Sequence, residues 1–139
     1  MDESVEVLAI RMAHLFFQKN GWEVIDVSHS RGDHAGYDLS ITKGSKLLKV
    51  EVKGSRKAYY GIPDLYGTEV NENQTLIADL LCVGYFPPGE ATKLAILRRS
   101  DFPADAFVPK IGYRIRNEYK NQKRIAEHLL DVDQPWKTE

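Results

Sequence analysis

Gly36-Tyr37-Asp38-Leu39-Ser40-Ile41-Thr42-Lys43-Gly44-Ser45-Lys46-Leu47-Leu48-Lys49-Val50-Glu51-Val52-Lys53-Gly54 is the stretch that decides how this chain folds. Apolar and polar residues alternate on either side of its centre, with Leu39 and Ile41 in the first arm and Leu48, Val50 and Val52 in the second. A period of two is the mark of half-buried strands, and Gly44-Ser45 is a two-residue hairpin signal. Closing the hairpin there predicts Ile41 opposite Leu48, Ser40 opposite Lys49, Leu39 opposite Val50 and Asp38 opposite Glu51. A slip of one residue would set Glu51 against Leu39 and turn a whole hydrophobic set to the wrong face, so the pattern argues for its own register.

Chemistry follows from that pairing. Directly opposed residues of an antiparallel pair have Cβ atoms about 4.5–5.5 Å apart, close enough for Asp38 and Glu51 to share a cation. With nothing between them they would repel, at a cost relieved by a proton or a metal. A ligand set made only of oxygen suits Mg²⁺ or Mn²⁺ rather than zinc. Lys53 points to the same face as Glu51, where its ammonium can hold a water near the metal or stabilise charge developing on a phosphate. The plain alternative is an edge hairpin whose charges are simply solvated.

The order of elements around these residues resembles the PD-(D/E)XK, or restriction-endonuclease-like, superfamily of nucleases. Its signature is an acidic residue, a hairpin and then ExK; here Tyr37-Asp38 supplies the first part, with Tyr in place of Pro, and Glu51-Val52-Lys53 the second. Glu6 and Ala9 look like the acid-bearing helix that opens these folds, with Glu3 as a rival for the acid, and Gly21-Trp22 looks like the step into the first strand. The run from Glu6 to Gly54 is most similar to Mrr-type and small restriction-like domains, with Holliday-junction resolvases and very-short-patch repair nucleases as more distant relatives. The resemblance implies an α/β fold with an αβββαβ core, a central mixed sheet flanked by helices.

It also implies an activity, a Mg²⁺-dependent endonuclease (Mn²⁺ able to substitute) that hydrolyses phosphodiester bonds, in DNA first of all. Asp38, Glu51 and the Val52 carbonyl would ligate the metal, and the catalytic set would be Asp38, Glu51, Lys53 and Glu6. The alternative is a non-catalytic nucleic-acid-binding or assembly module of a larger complex.

Composition fits one compact domain over residues 1–139. Hydrophobic residues make up 42% and charged residues 28% of the chain, ordinary values for a globular protein, and no apolar run approaches a membrane span. The acidic start Met1-Asp2-Glu3 is unlike a signal peptide, and Cys82, the single cysteine, rules out an intramolecular disulfide. A cytoplasmic protein with no membrane partner is expected, acting as a homodimer or as a subunit of a larger complex. Cys82 lies in the apolar run Leu80-Leu81-Cys82-Val83 and reads as a buried structural thiol.

The net charge is −1, and many DNA binders are basic; distribution decides more than the total. Lys43, Lys46, Lys49, Lys53, Arg56 and Lys57 surround the lone acid Glu51. An electropositive face beside the carboxylate pair is therefore expected, with Lys43, Lys46, Lys49, Arg56 and Lys57 as candidate phosphate contacts. A second basic run, from Lys110 to Arg124, reads as the solvated face of a helix or a further contact.

Along the rest of the chain, Asp2, Glu3 and Ser4 suit a helix start, and Val5, Leu8, Ala9, Met12, Leu15 and Phe16 give a helical stripe to Lys19, stopped by Asn20-Gly21. Trp22 to Val27 reads as a strand with both faces partly covered. His29 to His34 form a polar loop ahead of Asp38, with the histidines as loop polar groups or general bases. Tyr59 and Tyr60 either pack or stack on a base. Thr68 to Ala78 reads as a short helix carrying Gln74, Leu80 to Phe86 as a buried strand, Pro87-Pro88-Gly89 as a turn and Lys93 to Arg99 as a strand. Ile115, Tyr119, Gln122, Ala126 and Leu129 make the stripe of a final helix.

Overall fold

The computed structural model describes residues 4–28, 37–57, 61–63, 76–103, 106–110, 112–115, 119 and 125–136. Helix α1 spans Val5–Lys19, and the Ser4 side chain caps it by accepting from Val7 N–H at 3.2 Å. Glu6 in the first turn and Lys19 in the last complement the helix dipole. At the other end Gly21 takes φ 87, a left-handed conformation that only glycine adopts readily. Packing outweighs these local signals. Phe16 and Phe17 are buried at about 1.5–3 kcal/mol each, against about 1 kcal/mol for the cap.

Strands β1 (Glu23–Asp26), β2 (Leu39–Lys43), β3 (Lys46–Ser55), β4 (Leu80–Tyr85), β5 (Lys93–Arg98) and β8 (Leu129–Asp131) form a mixed sheet in the order β1-β2-β3-β4-β5-β8. β3 and β4 run parallel and the other neighbours antiparallel. β6 (Phe107–Lys110) and β7 (Gly112–Ile115) make a separate antiparallel pair. The hairpin register is the one its alternation dictates: Leu39 pairs with Val50, Ser40 with Lys49 and Ile41 with Leu48. Its turn rests on Gly44 at φ 61.

Alternation along β3 and β4 sends side chains to two cores. Val50, Val52, Leu80 and Cys82 pack toward α1 with Phe16, Phe17 and Trp22. Leu81, Val83 and Tyr85 face the opposite layer, with Ile62, Leu76, Ala106, Ile115 and Ile125. Every residue of β4 is buried, as expected of a central strand covered on both faces. Burial pushes the Cys82 thiol up to about 12, which suits an inert core residue.

α1 can lie this close because two glycines sit side by side beneath it. Gly54 of β3 and Gly84 of β4 are register partners. A Cβ on Gly54 would stand 2.5 Å from the Val5 carbonyl oxygen, and one on Gly84 would stand 2.8 Å from Met12 Cε and 3.1 Å from Ala9 Cβ. A glycine inside a strand commonly marks such a close backbone approach.

Several expectations are corrected. Ile115 ends β7 and Leu129 begins β8, where it pairs with Ala95, so no single helix carries both; of the stripe between them Tyr119 and Ala126 are helical, while Gln122 is outside the described residues. β1 is an edge strand with Ile25 61% exposed, so its outer face is not covered. Of the expected 68–78 helix, Leu76 to Ala78 are non-helical, and the remainder, with Gln74, lies outside the described residues. Among the described residues no helix is long and apolar enough to cross a membrane.

Candidate active site

The site lies where the β2–β3 ladder stops. The last pair is Leu39 with Val50, one step short of Asp38 and Glu51, which therefore do not form a ladder pair. Asp38 N–H instead donates to the Val50 carbonyl at 2.8 Å, and Val52 N–H donates to Asp38 Oδ2 at 2.9 Å. A side-chain carboxylate takes the place that a backbone carbonyl would hold in a continued ladder. It is thereby held against the peptide that separates Glu51 from Lys53.

β3 outruns its partner by five residues, Glu51 to Ser55, flanked there by β4 alone among the described strands. Glu51 and Lys53 are each only 3% exposed. An isolated charge at that depth carries a desolvation penalty of several kcal/mol, so charges collect. Lys53 Nζ lies 3.6 Å from Glu51 Oε2 and 3.8 Å from Glu6 Oε1. Both distances are ion-pair separations longer than a hydrogen bond. Glu6 belongs to the first turn of α1, and its approach depends on the bare Cα of Gly54, which lets that turn rest on β3.

Asp38, Glu51, Lys53, Glu6 and the Val52 backbone are thus brought together from one helix and one hairpin. Two of the carboxylates, Asp38 and Glu51, with the Val52 carbonyl, are oxygen donors of the kind that suit a hard divalent cation. No three His, Cys, Asp or Glu side chains converge as a metal cluster among the described residues.

The basic residues divide. Lys49 shares the face of Glu51 and Lys53 by strand alternation, and its Nζ lies 5.4 Å from the centroid of the Tyr37 ring. Arg56 and Lys57 follow β3 directly and are exposed. Lys43 and Lys46 stand at the turn, where Lys43 Nζ donates to the Asn20 carbonyl at 2.9 Å and lies 5.7 Å from the Trp22 ring centroid. Seven residue steps along β3, about 23 Å, separate Lys46 from Lys53. Glu3, the 29–34 loop, Tyr59, Tyr60, Arg116, Lys120, Lys123 and Arg124 lie outside the described residues.

Two supports escaped the sequence reading. The Gly54–Gly84 pair was visible as glycines inside apolar strands. The second support is Asp79, whose Oδ2 accepts from Lys49 N–H at 2.9 Å while its own N–H donates to the Lys49 carbonyl at 2.8 Å. Arg99 holds it in turn, donating to the Leu76 and Ile77 carbonyls at 2.9 and 2.7 Å and to Asp79 Oδ1 at 3.4 Å. Nothing in the spacing of Asp79 and Arg99 announces that clamp.

Neither a protein-family model nor a curated protein matches the chain. Among solved structures it is similar to the bacterial homing endonuclease I-Ssp6803I, with a TM-score of 0.51 and 23% identity over 70% of this chain and 69% of that one. It is also similar to Hjc, a Holliday junction resolvase of the archaeal hyperthermophile Archaeoglobus fulgidus, with a TM-score of 0.47 and 15% identity over 88% of this chain and 95% of that one. With its mixed sheet, opening helix and interrupted hairpin, the chain has a restriction-endonuclease-like fold.

Proposed function

We propose that this protein is a metal-dependent endonuclease that hydrolyses phosphodiester bonds in DNA. The observation that carries the reading is the buried Lys53 ammonium between Glu51 and Glu6, at the strand end where Asp38's carboxylate lies on the Val52 peptide. A fold does not by itself demand ionised groups at 3% exposure, and such groups cluster where chemistry is done.

Asp38, Glu51 and the Val52 carbonyl would hold Mg²⁺, with Mn²⁺ as a substitute. A bound divalent cation supplies Lewis acidity toward a phosphoryl oxygen and acidifies water, worth several kcal/mol. Lys53 orients the attacking water and stabilises negative charge on the phosphate. Glu6 holds Lys53 from the helix side, so that the ammonium keeps its place whether or not Glu51 is engaged elsewhere. Arg56 and Lys57 on the exposed flank supply sequence-independent phosphate contacts. The solved structure that shares the fold is named a homing endonuclease, which supports the reading of an endonuclease.

The test is cleavage of labelled plasmid, linear, single-stranded and branched DNA in Mg²⁺ or Mn²⁺, comparing the wild type with Asp38→Asn and Glu51→Gln. Asn keeps an oxygen to accept from Val52 N–H, so the fold is retained while the charge is lost. Each variant is expected to lose cleavage by about 10³-fold or more, roughly 4 kcal/mol of barrier, with DNA affinity little changed. Undiminished cutting by either variant sinks the assignment. DNA binding by the wild type with no cutting on any substrate transfers the case to a non-catalytic binding module.

A further inference from the structure

We propose that Lys49 binds the phosphate next to the scissile one, and that Tyr37 is the positioning residue that holds it there; this rests on the nuclease reading above. Lys49, Glu51 and Lys53 occupy alternate positions of β3 and so line one face. Along that line exposure falls away, from an exposed Lys49 to the buried Glu51 and Lys53. A strand of nucleic acid approaching along this face from the turn side of β3 meets Lys49 before it meets the carboxylates. The step from Lys49 to Glu51 is two strand residues, about 6.6 Å, comparable to the separation of successive phosphates on one strand.

The position of Lys49 is over-determined for a surface lysine. Its backbone N–H and carbonyl are both held by Asp79, through 2.9 and 2.8 Å hydrogen bonds, and Arg99 braces Asp79. Its ammonium lies over the Tyr37 ring at 5.4 Å, within cation–π range. Tyr37 is itself fixed by packing against the core of Leu81, Val83 and Tyr85, and it immediately precedes Asp38. One residue step thus connects the ring that orients a cation to the carboxylate that would bind metal. The ring leaves the outer side of the ammonium available to a phosphate and restricts its rotamers beforehand, so less side-chain entropy is lost on binding. Tyr at this position, where the superfamily signature has Pro, supplies an aromatic face that the saturated Pro ring lacks.

The test is DNA binding in a Glu51→Gln background, followed by fluorescence anisotropy of a labelled duplex across a salt series. Lys49→Met is expected to lower the slope of log K against log salt by about 0.9, one phosphate contact, at an unchanged melting temperature. Tyr37→Leu is expected to weaken binding several-fold with Lys49 present and to add nothing in Lys49→Met, whereas Tyr37→Phe, which keeps the ring, restores wild-type affinity. An unchanged slope in Lys49→Met overturns the phosphate contact. Additive losses from Tyr37→Leu and Lys49→Met overturn the positioning role of Tyr37. A wild type with no salt-dependent DNA binding overturns the pair and the nuclease reading together; a wild type that binds and never cuts, with the slope change present, removes the catalytic reading and leaves the contact standing.

Discussion

The two ends of the β2–β3 hairpin are built from the same kinds of residue and use them in opposite ways. At the turn end the ladder is complete, Lys43 and Lys46 are exposed partners across it, and Gly44 has nothing within 4 Å of where a Cβ would be. At the open end the ladder stops after Leu39–Val50, a carboxylate takes over a backbone bond, Glu51 and Lys53 are buried, and Gly54 lies beneath a helix. Charge on a strand is therefore not the signal of a site. What separates the ends is burial, and burial is created by elements distant in sequence, α1 and the second core layer.

The largest effect is expected from removing the buried cation. Lys53→Met leaves Glu51 in a site with its ammonium gone, and removing one partner of a buried pair costs about 3–5 kcal/mol. That corresponds to a fall in Tm of roughly 10–20 °C for a chain of this size. Adding Glu51→Gln removes the stranded charge, so the double variant is expected to regain at least half of the loss. Mn²⁺ at millimolar concentration is expected to raise the Tm of Lys53→Met more than that of the wild type, because a cation at Asp38 and Glu51 takes over the neutralisation. Equal shifts in the two proteins would show that Glu51 does not bind the ion.

Glycine gives the second contrast. Gly54→Ala sets a methyl 2.5 Å from the Val5 carbonyl oxygen, and overpacking of this kind costs about 1–3 kcal/mol while displacing the helix turn that carries Glu6. Gly44→Ala meets no atom but must hold φ 61, about 1 kcal/mol, and Gly44→Asn, which tolerates that region, is expected to be near neutral. Cleavage should fall in Gly54→Ala and stay unchanged in both Gly44 variants when measured well below their Tm. A Gly44 effect on rate equal to that of Gly54 would erase the distinction between the ends.

Much of this was legible in the sequence, and the failures have physical causes. The hairpin register followed from alternation because one face of each arm is buried, and a one-residue slip would have exposed Leu39 and Ile41. Asp38, Glu51 and Lys53 were picked by residue type and spacing, which act at short range. The break in the ladder at Asp38 was not legible, since the hydrophobic pattern that fixes a register does not state where pairing ends. The terminal region misled for a related reason: Ile115 and Leu129 keep helical spacing, yet each belongs to a strand whose partner, Phe107 or Ala95, lies elsewhere in the chain, and Pro109 disguises β6. The split of the basic residues between the ends was equally hidden, because proximity along β3 is not proximity to its buried half.

The smallest expected effect lies at the turn. Lys43→Met removes the 2.9 Å bond to the Asn20 carbonyl and the contact with the Trp22 ring, two exposed interactions worth about 1 kcal/mol together, since the Met side chain still covers part of Trp22. Cleavage and the salt slope of DNA binding are expected to match the wild type, and Lys46→Met should behave likewise, because both cations stand about 20 Å or more from Lys53 along the strand. The measurement that decides is the salt slope. If either variant lowers it by about 1, DNA lies along the whole hairpin rather than across its open end, and the turn lysines belong to the same phosphate track as Lys49; if neither does, their role is to fasten the hairpin to the C-terminal end of α1, and the phosphate contacts are confined to the end where the ladder stops.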